Sequence, residues 1–432
     1  MVVRNLQNGR LLAAAILIAG LGAAGIAAGL SAPAVAASRA HKVGASENKD
    51  KKDAPKPAPK KEVKKDEPPI VAPHAILIDA QYGAVLFDRG ADDPIFPASL
   101  AKLMTAEYVF NELKQGRIKL TDEYRVSANA WRKGGAPSHG STMFAAIDSK
   151  ISVNDLLRGM IVLSGNDAAI VLAEGLAGNE LEFGEKLTAR AREIGMPKSV
   201  FANSNGLPDP RTHVTSRELA ILARQIILEY PEFYKIFSQL DFTWSKIHQM
   251  NRNPLLGTVD GADGLKTGFT KEAGYGLVGS AVQNGQRLIV VVNGEKSEKE
   301  RADEAKKLLE WGWRNFEPRT IFAEGQTIGA AKVYGGASGH VSLKATGDVQ
   351  VMLPKNGPEK LIARIVYSGP VPAPVTEGQR IGSLKVWRNN AVILDMPLKA
   401  AESVGKGNMP QRAFDAVTEM MIGLFRAGAE RL

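Results

Sequence analysis

Strand-forming segments stand at both ends of a long region of this sequence, and helix-forming segments fill the interval between them. At the first end, residues 75–79 and 85–87 flank a polar turn, which is the pattern of a β-hairpin. At the other end, strand patterns occur at residues 264–268, 274–283 and 287–293. Because an isolated strand leaves its backbone groups unpaired, these distant segments are expected to meet in one sheet. The sequence therefore predicts an α+β domain.

The interval carries apolar residues at helical spacing. The predicted helices cover residues 100–113, 153–177, 180–195 and 216–228, and a last one covers residues 299–314. Ser216 is the predicted N-cap of the fourth helix, with Glu218 in its first turn. Together with the two hairpin regions, these helices define a domain over residues 73–316.

Past residue 317 the helical spacing gives way to short alternating segments separated by Gly, Pro and Asn. The predicted strands cover residues 341–343, 349–353, 361–367, 381–386 and 391–394. Closely spaced strands of this kind are typical of a small all-β domain, which we expect over residues 317–409.

Residues 410–432 form a predicted amphipathic helix. Its apolar face is built from Phe414, Val417, Met421, Leu424 and Phe425. This face is expected either to dock on the protein or to lie on a membrane surface, and the pattern leaves both open.

The N-terminal segment indicates export. Arg4 and Arg10 precede an uncharged run over residues 11–37, and Ala34-Val35-Ala36 has the small-x-small pattern of a cleavage site. Residues 1–37 are therefore a predicted signal peptide, although the length of the run also permits an uncleaved membrane anchor. Either way, we expect the bulk of the protein on the outer face of the cytoplasmic membrane or in the periplasm.

The net charge of +9 comes largely from lysines in a Pro- and Ala-rich segment, residues 38–72. Such a segment buries little apolar surface and is expected to be a disordered linker, whose lysines would also attract an anionic envelope polymer or membrane surface. Nucleic acid is not an expected partner. The chain has no cysteine, and its six histidines lack metal-ligand spacing, so we predict no disulfide, metal or cofactor.

The stretch PASLAKLMTA places Ser99 three residues before Lys102. On a helix such positions share a face, so the hydroxyl and the amine can meet. Ser99 is then either a helix cap or a nucleophile beside its base. Two further triplets bear on this choice, namely Ser164-Gly165-Asn166 and Lys266-Thr267-Gly268.

Each triplet alone is weak evidence, but the order S-x-x-K, S-x-N, K-T-G is a recognised signature. With it, the sequence resembles the penicillin-recognising serine hydrolases. PASLAKLMTA, LSGNDAA and DGLKTGFT look most like the low-molecular-mass D-alanyl-D-alanine carboxypeptidases, and the order of segments matches from about residue 74 to residue 432. Two departures stand out: Gly165 where related β-lactamases have aspartate, and Phe269 where some close relatives have histidine.

The resemblance implies a β-lactamase/transpeptidase-like fold, an antiparallel sheet with helices on its faces and a helical subdomain, followed by the β-rich domain and an amphipathic anchor. It implies peptidoglycan stem peptides as substrate and β-lactams as covalent inhibitors. Removal of a terminal D-alanine through an acyl-enzyme is the implied reaction.

The residues receive roles on this basis. Ser99 is the expected nucleophile and Lys102 its base, with Lys266 as the cation that lowers the pKa of Lys102 and burial acting in the same direction. Ser164 is expected to relay a proton to the leaving amine, and Asn166 to position Lys102 and the substrate amide.

Lys266 and Thr267 are expected to bind the substrate carboxylate, and Gly268 to allow close approach along the strand. The backbone N–H groups of Ser99 and Phe269 form the expected oxyanion hole. Arg301 either helps to hold the carboxylate or is a solvated helix residue.

Three alternatives stay open at this point. A class A β-lactamase shares these motifs but needs a further glutamate, and residues 199–205 contain no acidic residue, while Asp209 is predicted to lie in a turn. A non-catalytic envelope protein that keeps the fold is the second alternative. A wall- or lipid-anchored binding module is the third.

Overall fold

A computed structural model describes residues 4–6, 67–355, 361–388 and 391–429. The predicted signal peptide and linker lie outside the described residues, apart from the short strand at Arg4–Leu6 and the end of the linker. Among the helices that the structure describes, none has both the length and the apolar character needed to cross a membrane.

The helices are α1 (Lys102–Lys114), α2 (Ala128–Gly134), α3 (Val153–Ile161), α4 (Asn166–Ala177), α5 (Glu180–Glu193), α6 (Ser216–Glu229), α7 (Pro231–Tyr234), α8 (Glu298–Asn315) and α9 (Met409–Ala429). The strands are β1 (Arg4–Leu6), β2 (His74–Asp79), β3 (Val85–Arg89), β4 (Glu123–Arg125), β5 (Lys150–Ser152), β6 (Asp241–Trp244), β7 (Ile247–Met250), β8 (Ala262–Thr270), β9 (Gly274–Gln283), β10 (Gln286–Glu295), β11 (Phe316–Phe322), β12 (Gly329–Tyr334), β13 (His340–Lys344), β14 (Val349–Pro354), β15 (Leu361–Tyr367), β16 (Val371–Pro372), β17 (Arg380–Arg388) and β18 (Ala391–Ala400).

The two ends of the first region meet in one antiparallel sheet, as the sequence predicted. Its strand order is β3-β2-β10-β9-β8, with Leu77 opposite Val290 and Lys266 opposite Val278. The strand that carries the K-T-G triplet, β8, therefore lies at an edge of the sheet. An edge strand leaves one row of backbone groups free for an extended ligand.

Each face of this sheet is covered by helices. On one face, Ile289 and Val291 pack into the core that also contains the apolar sides of α1 and α6. On the other face, Leu288 and Val290 pack with Leu308 on α8. This second core continues without interruption into the β-rich region. The α+β interpretation is confirmed, including helices on both faces of the sheet.

The β-rich region contains a sheet of order β1-β15-β17-β18-β13-β12-β16 and the separate pair β11–β14. The sequence missed β11 and β12. In β11, Pro318 and Arg319 interrupt the apolar alternation, and β12 begins with Gly-Ala-Ala. In both strands the β-branched and aromatic residues stand at the ends rather than in a regular alternation, so the period-two pattern of a strand is not recognisable.

The helical region at residues 153–177 is two helices, α3 and α4, separated by the turn that contains Ser164. The prediction for the start of α6 is wrong by one residue. The N-cap of α6 is Thr215 rather than Ser216, because the extended backbone of Thr215 lets its hydroxyl accept from the Glu218 N–H. Ser216 is already the first helical residue.

Candidate active site

Ser99 lies in a 3-10 turn, Ala98–Ala101, that leads directly into α1. The cap residue of α1 is Ala101, so the capping interpretation of Ser99 is wrong. Ala98, just before the serine, has a φ of +47°, a conformation that costs a non-glycine residue about 1–2 kcal/mol. Such strain is characteristic of functional sites. Because Ser99 does not cap α1, its hydroxyl is free to contact Lys102.

Lys102 is 1% exposed and its Nζ has three oxygen acceptors. It donates to Ser99 Oγ at 2.9 Å, to Asn166 Oδ1 at 2.7 Å and to the Asn205 carbonyl at 2.7 Å. Burial lowers the pKa of Lys102 to about 7, while the carboxylates of Asp167 and Glu180 oppose that change. An amine with such a pKa is a suitable general base near neutral pH.

The third acceptor belongs to Ser204–Asn205, a segment that we call the strap and that the sequence did not single out. Its two carbonyls face α1: that of Ser204 accepts from Thr105 Oγ1 at 2.6 Å, and that of Asn205 accepts from Lys102. Thr105 and Lys102 are three residues apart, so they share one side of α1. Because the acceptors are backbone atoms, no residue type signals this contact.

Gly206, the next residue after the strap, brings it close to the serine turn. It has a φ of +78°, and a Cβ here would lie 1.8 Å from the carbonyl oxygen of Ala98. Only glycine satisfies both the backbone conformation and the contact.

The middle triplet forms the turn between α3 and α4. Ser164 is buried and has a φ of +62°, a second strained non-glycine residue in the site. Asn166 begins α4 and its side-chain oxygen binds Lys102. The structure therefore brings Ser99, Lys102 and Asn166 together. Ser164 precedes Asn166 by two residues in the same turn.

Asp167 is a further residue that the sequence did not identify. It is fully buried, and its carboxylate accepts from Thr142 Oγ1 at 2.6 Å and from the N–H groups of Met143 and Ala145 at 3.0 Å each. These bonds hold the loop that borders Asn166, whose own N–H donates to the Ser141 carbonyl. A charged residue in a helical first turn gives no sequence signal for this function.

The K-T-G strand lies directly against the serine turn. A Cβ on Gly268 would lie 2.9 Å from the Pro97 carbonyl and 3.1 Å from the Leu100 N. Glycine is thus required for β8 to approach Ser99 this closely. Lys266 and Thr267 are both buried beside it.

Burial lowers the pKa of Lys266 well below its ordinary value, and Lys102, Arg252 and Arg301 act in the same direction. The sequence predicts that Lys266 and burial together lower the pKa of Lys102. Burial is the principal cause, and the charges that act on Lys102 are the carboxylates of Asp167 and Glu180. The two lysines differ in their surroundings, since three cations act on the pKa of Lys266 and two carboxylates act on that of Lys102.

Beyond Thr267 the site ends in a group of cationic and aromatic side chains. Arg301 is buried on α8 with its guanidinium 5.6 Å from the centre of the Tyr275 ring. Phe269 stacks on the same Tyr275 ring, with centroids 4.1 Å apart, and is half exposed. Within the part of the chain that the structure describes, the buried Nε of Arg301 has no hydrogen-bond partner. This arrangement suits an anionic ligand group.

Comparisons with known proteins agree on one family. A family model described as D-alanyl-D-alanine carboxypeptidase matches residues 61–297, and a model described as penicillin-binding protein 5, C-terminal domain, matches residues 316–406. The D-alanyl-D-alanine carboxypeptidase DacA of Haemophilus influenzae is 38% identical over 362 residues, which are 83% of this chain and 91% of that protein.

The D-alanyl-D-alanine carboxypeptidase DacC of Escherichia coli is 38% identical over 355 residues, which are 82% of this chain and 89% of that protein. A crystal structure of penicillin binding protein 5 from Haemophilus influenzae superimposes with a TM-score of 0.69 at 38% identity. That match covers 79% of this chain and 99% of the other.

The contact at Gly206 yields a prediction. Gly206→Ala should destabilise the protein by about 3 kcal/mol or more and displace the serine turn, since its Cβ overlaps the Ala98 carbonyl. Gly195→Ala is the matched control: Gly195 also has positive φ, +92°, but nothing lies within 4 Å of its Cβ position. Backbone strain alone should cost that variant about 1 kcal/mol. Denaturant unfolding measures both, and equal losses in the two variants would contradict the contact.

Proposed function

We propose how the site works from the premise that this chain belongs to the D-alanyl-D-alanine carboxypeptidase family. The protein is a serine-type D-Ala-D-Ala carboxypeptidase. It removes the terminal D-alanine from peptidoglycan pentapeptide stems through an acyl-enzyme intermediate, and penicillins acylate it. The observation that carries the assignment of the nucleophile is the 2.9 Å contact between Ser99 Oγ and the buried Nζ of Lys102.

In the acylation step, neutral Lys102 takes the proton of the Ser99 hydroxyl while the serine oxygen attacks the carbonyl carbon of the penultimate D-alanine. Negative charge develops on the carbonyl oxygen, and the backbone N–H groups of Ser99 and Phe269 stabilise it. When the intermediate collapses, the peptide C–N bond breaks and the leaving amine of D-alanine takes a proton through Ser164. The ester on Ser99 remains.

In deacylation, a water molecule attacks this ester and gives a proton to Lys102, and the shortened stem peptide leaves as Ser99 regains its proton. Asn166 keeps Lys102 in place through both steps by its 2.7 Å hydrogen bond. The same lysine thus serves as base twice, consistent with a pKa of about 7.

The substrate carboxylate binds at the far end of β8. Thr267 and Lys266 supply the direct contacts, and Arg301 supplies a guanidinium whose buried Nε lacks a partner among the described residues. Gly268 permits the substrate to lie along the edge strand. Arg301 is buried, which supports its role in carboxylate binding over that of a solvated helix residue.

The rival activity, a β-lactamase, requires a carboxylate that activates water beside the acylated serine. The two carboxylates that influence Lys102 are Asp167 and Glu180. Asp167 is occupied by the loop at residues 142–145, and Glu180 contacts the side chains of the strap. In the described part of the chain, neither hydrogen-bonds to Ser99 or Lys102, which favours the carboxypeptidase.

We further propose that residues 73–316 form the catalytic domain and residues 317–409 the β-rich domain. The hydrophobic segment at residues 11–37 and the cleavage pattern near Ala36 support export. The protein would then act at the outer face of the cytoplasmic membrane or in the periplasm, where its wall substrate is.

Helix α9 is the proposed membrane contact. Its first turns touch the β-rich domain, where the Gly335 N–H donates to Asp415 at 2.7 Å and Gln411 donates to the Ala337 carbonyl at 3.4 Å. Four apolar side chains stay largely exposed on it, namely Met409, Phe414, Val417 and Met420. Side chains after Met420 lie outside the described part. Exposed apolar residues on an amphipathic helix favour a lipid surface.

The assignment of the nucleophile predicts the behaviour of Ser99→Ala. This variant should lose both D-alanine release from a pentapeptide ending in D-Ala-D-Ala and labelling by a fluorescent penicillin, since Ser99 Oγ is the hydroxyl to which Lys102 Nζ is hydrogen-bonded in the described part of the chain. Its unfolding temperature should stay near that of the wild type. Penicillin labelling of another serine in the variant would refute the assignment.

The proposed role of Lys102 as the general base predicts how the rate of acylation depends on pH. Only neutral Lys102 can accept the serine proton, so the rate of penicillin acylation should rise with pH and reach half its plateau near the pKa of about 7. Below that pH the ammonium form accumulates and acylation slows tenfold per pH unit. Lys102→Arg keeps the charge but stays protonated, so acylation should fall by several orders of magnitude at every pH. A fast arginine variant would move the base role to another group.

The exposed face of α9 predicts vesicle binding. Protein lacking residues 1–37 should sediment with anionic vesicles at moderate salt, and deletion of residues 411–432 should leave it in the supernatant. Phe414→Glu keeps the helix but places a charge on its apolar face, and should weaken sedimentation. If all three proteins stay soluble and the deletion lowers the unfolding temperature, the helix is a packing element and the membrane proposal is wrong.

A further inference from the structure

Glu180 contacts the same strap that binds the catalytic base. It is the first residue of α5, and its side chain is 16% exposed. Its Oε1 accepts from Ser204 Oγ at 3.2 Å and from Asn205 Nδ2 at 3.4 Å. The Asn205 carbonyl in turn accepts from Lys102. The Glu180 carboxylate on α5 is thus linked to Lys102 through a single residue, Asn205.

The strap is held from two sides. Thr105 binds its Ser204 carbonyl from α1, and Glu180 binds its two side chains from α5. Removing one of these restraints frees the Asn205 carbonyl to move away from Lys102. Small displacements of a catalytic group cost large factors in rate.

We propose that Glu180 is a positioning residue that holds the strap, and through it Lys102, in place for proton transfer from Ser99. The inference rests on the proposed function of Lys102 as base. It goes beyond the three sequence motifs, because Glu180 belongs to none of them.

The charge of Glu180 gives this role a measurable signature. Lys102 from α1, Lys133 from α2 and Glu174 from α4 are the charged groups that face it, and Lys133 Nζ lies 3.9 Å from Oε2. The Glu180 carboxylate raises the pKa of Lys102 against the effect of burial. Removing this charge should therefore lower the pH at which Lys102 becomes neutral.

The test is the rate of acylation by a fluorescent penicillin between about pH 5 and about pH 9, a range that spans the pH at which a general base of this kind titrates. Glu180→Gln keeps the acceptor oxygen without the charge, so the midpoint should move to lower pH by about half a unit or more. Glu180→Asp keeps the charge but is one methylene shorter, so the midpoint should stay while the plateau falls by about tenfold. Glu182→Gln, an exposed glutamate in the same helical turn, is the matched control and should change neither quantity.

Unfolding temperatures are measured for every variant. A folded Glu180→Gln whose midpoint and plateau equal those of the wild type overturns the inference, and so does Glu180→Asp with a full plateau. If the glutamine variant does not fold, the aspartate variant decides. A wild type that penicillin does not acylate overturns the proposed function itself, which is a different result from normal acylation in all variants.

Discussion

The burial of Lys102 is the constraint on which the rest of the site depends. Holding a lysine with a pKa of about 7 means that its charged form is disfavoured by on the order of 5 kcal/mol relative to water. Three oxygen atoms accept hydrogen bonds from Nζ, and none of them belongs to a carboxylate. A directly bonded carboxylate would keep the ammonium charged and abolish its use as a base.

Three distant segments must converge on that one nitrogen, and their close approach is what restricts the residue types around it. Gly206 and Gly268 stand where a Cβ would collide with the carbonyls of Ala98 and Pro97. Ala98 and Ser164 accept left-handed backbone conformations that are unfavourable for their types. A large core beneath α1, with Leu103, Met104 and Phe110 fully buried, supplies the rigidity that keeps these strained turns in place.

The sequence was sufficient for the sheet of distant strands and for the three motifs, because each motif is a local pattern of side chains. It was insufficient for contacts made by backbone atoms, such as the Asn205 carbonyl on Lys102. Asp167 and Glu180 were missed for another reason, since an acid in the first turn of a helix is ordinary and only tertiary packing gives it a further partner. The strand β12 was missed because its small residues pack well without a recognisable alternation.

The two buried lysines of the site have neighbours of opposite charge, carboxylates at Lys102 and cations at Lys266. Burial lowers the pKa of Lys102 and two carboxylates raise it, so that the pKa is about 7. At Lys266, burial and the cations Lys102, Arg252 and Arg301 all act in one direction, so the free site carries an excess of positive potential. A substrate carboxylate bound beside Lys266, as we propose, would neutralise that excess and stabilise the ammonium form of Lys266. The substrate can therefore bind through its charge at one end of the site while Lys102 stays available to take the serine proton at the other.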